Sequence, residues 1–204
     1  QIFSGEYAIE VENFVIPTPI DDNSIRLKNN ETLIRIPFNH KYRSQKNILK
    51  LISDRLENLE LRIMLFLKNI EEIKIEFKLK HNALSRRYSR KVVNDFKGFL
   101  NTKKLKLESS KGVEKYLVFE KPIKIEGRKL WVEVAYKLDK GLKGKEIIVS
   151  EPNSKLVVFF PTEKVTFLNF IIQGPFKTTP NRENIPLEDK QNKLILNEIG
   201  NLIA

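Results

Sequence analysis

Cysteine is absent from the 204 residues. That excludes a disulfide framework and any thiolate-held metal. Histidine occurs only as His40 and His81, in unrelated contexts, which is too little for an imidazole-built metal site. Runs of apolar residues stop at about strand length, well short of a membrane span. No charged-then-apolar leader with a small-residue cleavage site is visible. These absences point to a cytoplasmic protein with no membrane partner. A phosphate-cradling P-loop is also missing: Gly144-Lys145 is followed by Glu146 and lacks the spaced upstream glycine. No nucleophile-elbow spacing supports a Ser-His-Asp set. Tryptophan occurs once, as Trp131, and is expected in the core.

What is plentiful is positive charge. Lys and Arg total 37 against 26 Asp and Glu, a net charge of +11. Such a field attracts nucleic acid or phosphorylated ligands, and it is equally the mark of a solvated lysine-rich surface. With 41% hydrophobic residues the chain can bury a core, as one domain or two small ones.

Along the chain, residues 7–11 (YAIEV) and 32–38 (TLIRIPF) read as strands, with Pro17 and Pro19 breaking the pattern between them. Residues 45–70 carry Ile48, Leu49, Ile52, Leu56, Leu59, Ile63, Phe66 and Ile70 at helical spacing, with Ser44 as N-cap. That stripe fits core packing, or the docking of a partner. From Ile73 the period becomes two: Ile73, Ile75, Phe77 and Leu79 alternate with charges, and KYLVFEK (115–121) and KLWVEVAYKL (129–138) repeat the theme. Residues 139–144 read as a hairpin loop, 155–162 and 167–176 as strands, and 187–204 as a helical tail. The predicted class is α+β, a mixed and mostly antiparallel sheet with packed helices.

Residues 74–91 form the densest basic stretch, with Lys78, Lys80, Arg86, Arg87, Arg90 and Lys91 around Tyr88. Basic side chains can neutralise phosphates and an aromatic can stack on a base. A solvated face and a surface for nucleic acid or an acidic partner both fit. A second charged feature lies at residues 168–186 (LNFIIQGPFKTTPNRENIP), a buried strand that turns at Gly174-Pro175 into a polar loop with one arginine, Arg182. From spacing alone Arg182 is either a structural arginine, paired with Glu183 or Glu188 or capping carbonyls, or a phosphate ligand.

LVVFFPTEK followed by LNFIIQGPFKTTPNRENIP resembles the Hsp90-like, sacsin-type proteins that carry a GHKL (Bergerat-fold) ATPase domain. IFSGEYAIEVENFVIPTP, NETLIRIPF and residues 65–73 are similar to the end of that ATPase domain. The resemblance implies that residues 1–70 are the tail of a Bergerat-fold domain and 71–204 a middle, transducer-like domain. It implies a fragment that couples ATP binding and hydrolysis in the preceding domain to conformational change. Arg182 would contact the γ-phosphate, with Asn181, Thr178 and Thr179 beside it. Partners would be the upstream nucleotide-binding segment, protein clients and a second copy as a homodimer. ATP and Mg would belong to the full-length protein, and this chain alone would be inactive. Its own Glu188-x-x-x-Asn192 and Asp139-Lys140-Gly141-Leu142-Lys143-Gly144 do not match the family's nucleotide motifs in context. The alternative is a basic nucleic-acid-binding module of a GHKL-type DNA-processing or defence protein.

Overall fold

The computed structural model describes residues 2–4, 8–12, 16–19, 28, 30–34, 44–78, 83–98, 100–179 and 182–204. His40, His81, Lys80 and Asn181 lie outside them. Two compact units divide between Arg55 and Leu56. The resemblance implies a boundary after residue 70, but residues 56–70 pack with the second unit.

In the first unit, β1 (Ile2–Ser4), β2 (Ala8–Glu12), β3 (Ile16–Pro19) and β4 (Thr32–Ile34) form an antiparallel sheet in the order β3-β2-β1-β4. Pro17 and Pro19 do not break the pattern. They sit in β3, an edge strand, where a missing N–H costs least. Helix α1 (Gln45–Glu57) begins where expected: the Ser44 hydroxyl accepts from the Asn47 N–H at 3.3 Å. It ends far short of residue 70. Met64, Leu65, Phe66 and Leu67 are all buried. Four consecutive buried residues do not suit a helix with one solvent face, and the chain takes a 3-10 turn at Leu61–Met64 instead.

The second unit is built on one nine-stranded sheet. Its strands are β5 (Glu72–Lys78), β6 (Ala83–Phe96), β7 (Asn101–Ser109), β8 (Gly112–Ile125), β9 (Arg128–Lys140), β10 (Glu146–Val149), β11 (Lys155–Val158), β12 (Phe160–Val165) and β13 (Ile171–Gln173). The order is β12-β11-β13-β9-β8-β7-β6-β5, with β10 pairing on β9 beyond the short β13. Pairing is antiparallel except between β11 and β13. The β8–β9 turn is Glu126-Gly127, both at positive φ, which matches the twist of a two-residue hairpin. Residues 139–144 do link β9 to β10 as a hairpin. Residues 155–162, read as one strand, are two: the chain reverses at Phe159, whose φ is 61°, and β12 runs back along β11.

Alternation along the strands gives the sheet two buried faces. On one, Met64, Leu65 and Phe66 cover Tyr88, Leu105, Leu107, Tyr116, Val118 and Ala135. On the other, helix α2 (Lys190–Ile203) lays Ile195, Ile199 and Leu202 over Val132, Val134, Leu156, Val158 and Ile172. Asp189 caps α2 by accepting from the Gln191 and Asn192 N–H groups. The fold is α+β on a mixed, mostly antiparallel sheet. No helix among the described residues is long and apolar enough to cross a membrane.

The exit from β13 is tight. A methyl group at Gly174 would stand 2.8 Å from Ile195 Cγ2 and 2.9 Å from the Phe176 ring. Because Ile195 is fully buried, Gly174→Ala is expected to push α2 off the sheet and cost about 1–3 kcal/mol in urea unfolding.

Candidate functional site

Arg182 sits after β13 in the loop that leads to α2, at φ 59°. Its Nη2 donates to the carbonyl of Val158 at 2.7 Å and of Phe160 at 3.2 Å. These two carbonyls flank the reversal at Phe159. The Arg182 carbonyl in turn accepts from the Glu163 N–H at 3.4 Å. The side chain therefore caps carbonyls, one of the two roles that spacing left open. Its partners are neutral backbone oxygens, with no carboxylate on the guanidinium among the described residues.

The loop is closed by Thr179. Its N–H donates to the Asn184 carbonyl at 3.0 Å, its hydroxyl accepts from the Asn184 N–H at 3.2 Å, and its carbonyl accepts from the Arg182 N–H at 2.8 Å. Thr178 is half-buried beside it. Beneath the loop stands Asn192, completely buried on α2. Its Oδ1 accepts from the Lys177 N–H at 2.9 Å, and its Nδ2 donates to the carbonyls of Lys177 at 3.0 Å and Pro186 at 2.9 Å. One side chain thus fastens both ends of the Arg182 loop. Glu188, four residues earlier, is exposed and paired with Lys193 at 2.6 Å. The Glu-x-x-x-Asn spacing here serves the loop.

The basic stretch is divided by the sheet. Tyr88 is buried and its hydroxyl donates to the Leu59 carbonyl at 3.3 Å, so it cannot stack on a base. Arg90 is buried too, its Nε donating to the Leu65 carbonyl at 3.3 Å. Arg86 donates to the Glu57 carbonyl at 2.5 Å, and Arg87 to Glu72 at 2.7 Å. Lys91 is exposed, opposite Lys106, which is itself opposite Lys115. Lys78 ends β5.

Period-two counting also missed a buried polar row. Asn101, Glu120, Glu133 and Gln173 stand opposite one another on β7, β8, β9 and β13. Glu120 and Glu133 are 3% and 2% exposed. Lys68 Nζ lies 3.1 Å from both carboxylates, and Lys103 grips both oxygens of Glu120 at 2.9 and 3.0 Å. Burial pushes the Glu133 carboxyl up to about 7, against the pull of Lys68 and with help from Glu120. Burial also opposes charge on Glu120, but the hydrogen bond from Lys103 and the nearby Lys68 outweigh it and hold its carboxyl below the ordinary range. Gln173 ends the row: its Oε1 accepts from the Phe159 N–H at 2.9 Å. Trp131 is half-buried rather than central, with Lys68 Nζ 4.8 Å and Lys129 Nζ 5.2 Å from its ring centroid.

Comparison identifies no relative. No protein-family model, curated protein or solved structure matches the chain. The site holds one guanidinium, seated on neutral backbone acceptors, in a loop fixed to a helix and a strand reversal.

Two outcomes test this framework. Asn192→Asp keeps the acceptor for Lys177 but turns an acceptor toward two carbonyls. It is expected to cost about 2–4 kcal/mol in urea unfolding, no less than Asn192→Ala. The second concerns pH. Glu133 binds its proton more tightly folded than unfolded, so its contribution is full at acid pH and is lost as pH rises through about 7. Glu120 works the other way and withdraws stability as pH falls through its depressed value. The thermal midpoint should fall between about pH 5 and 8, and Glu133→Gln should flatten that fall.

Proposed function

We propose that this chain is the coupling segment of an Hsp90-like, sacsin-type ATP-binding protein, in which Arg182 answers to the γ-phosphate of ATP held by a preceding domain. In this reading the first unit completes a Bergerat-fold domain and the second, from Leu56 on, forms the middle domain. ATP and Mg belong to the nucleotide-binding segment. Clients and a second copy of the protein respond to closure.

One observation carries the reading: the Arg182 guanidinium is fixed in place by the Val158 and Phe160 carbonyls, and no carboxylate meets it among the described residues. A guanidinium resting on neutral oxygens exchanges them for phosphate oxygens at a gain, because charge-assisted, bidentate bonds are the stronger ones. Delivered from a second domain, it makes phosphoryl transfer wait for closure. The burial of Tyr88 and Arg90 takes from the nucleic-acid reading the stacking aromatic on which it leaned.

The test uses the protein with its nucleotide-binding segment. Arg182→Ala is expected to lower ATP turnover by about a thousandfold or more while ATP still binds. A purely structural arginine predicts a lower melting temperature with turnover per folded molecule unchanged, and that result would sink the assignment.

A further inference from the structure

At the end of the buried polar row the sheet opens into a cavity of about 470 Å³, within the size range of small-molecule sites. Phe66, Trp131, Phe159 and Pro175 give it flat apolar walls, and Lys68 and Glu133 stand at its polar side. The ammoniums of Lys68 and Lys129 converge on the Trp131 ring, where the π face attracts cations. Lys124 stands directly opposite Lys129 across β8 and β9. Like charges placed directly opposite destabilise a strand pair, and neither lysine has a carboxylate partner among the described residues.

The sign of the missing partner follows from charge matching. Glu120 and Glu133 are answered by Lys68 and Lys103, and the buried Arg90 lies in the field of the same two carboxylates and of Glu71. Among the described residues neither carboxylate of the row is left without a cation for a cationic ligand to meet. The surplus is positive and lies at Lys124 and Lys129, both exposed. We infer that this cavity binds a small organic anion, its flat apolar body between Phe66, Trp131, Phe159 and Pro175, its carboxylate or phosphate head just outside the lining at Lys129, which reaches the rim over Trp131, and at Lys124 opposite it on the neighbouring strand. Arg182 is not among the residues that line the cavity, and the inference stands whether or not that residue meets ATP.

Trp131 is the single tryptophan, so its emission reports on this cavity alone. Three probes separate the contributions: 1-naphthyl phosphate, 1-naphthoate and neutral 1-naphthol, titrated into the intact chain. Both anions are expected to quench Trp131 saturably, and naphthol about tenfold more weakly. The double variant Lys124→Gln/Lys129→Gln, at exposed positions, should lose about tenfold in affinity for naphthyl phosphate and keep its weak affinity for naphthol. Preference for the phosphate over the carboxylate, or the reverse, identifies the head group. Naphthol binding as tightly as the anions, quenching that does not saturate, or an unchanged double variant would each overturn the inference.

Discussion

Two carboxylates placed directly opposite each other in the middle of a sheet constrain everything around them. Glu120 and Glu133 cannot both be buried there without cations, and the cations come from elsewhere: Lys103 from the next strand, Lys68 from the turn that crosses the face. The segment 61–70 is therefore fixed by charge at Lys68 as well as by the burial of Met64, Leu65 and Phe66. The same row continues to Gln173, which takes the Phe159 N–H and so sets the strand reversal. On the far side of that reversal stand the two carbonyls that receive Arg182. Cavity, polar row, reversal and arginine form one continuous set of contacts.

The loop that presents Arg182 is held from below with similar economy. Asn192 uses both its donors and its carbonyl oxygen within the protein, joining residue 177 to residue 186. The clasp between Thr179 and Asn184 narrows the loop further. A charged side chain on a loop of this kind has little backbone freedom left to lose when it meets a ligand, which is the physical content of preorganisation.

Much of the sheet was legible in the sequence. Period-two alternation located β5, β8 and β9, and turn chemistry the loop at 139–144, because burial of alternate residues and turn chemistry are local properties. The helix at 45–70 was overextended because apolar residues at helical spacing continue past Glu57, where burial becomes continuous and the spacing loses its meaning. The basic stretch looked unified because counting charge ignores which way side chains point. Tyr88 and Arg90 are two residues apart in a strand, so both face the core, and Arg87 and Lys91 face away. The Glu120 and Glu133 row was visible in principle: Tyr116, Val118 and Glu120 are in phase, as are Glu133 and Ala135. What no spacing discloses is their register, since only pairing places one carboxylate opposite the other.

The reversal at Phe159 was hidden for a different reason. Chains usually mark such points with glycine, which adopts positive φ without steric cost. Here Phe159 and Arg182 both hold φ near 60°, at about 1–2 kcal/mol each for a residue with a side chain. Glycine at 182 would remove that strain and with it the two bonds to Val158 and Phe160. Glycine at 159 would remove a wall of the cavity. Net contributions of about 1 kcal/mol per hydrogen bond, from the Phe159 N–H to Gln173, from Arg182 to both carbonyls and from the Glu163 N–H to the Arg182 carbonyl, suffice to hold the two strained residues in place. Strain persists only where the surroundings overdetermine it. Of the six described non-glycine residues at positive φ, Phe159 and Arg182 are the two joined through this reversal, one lining the cavity and the other carrying the guanidinium.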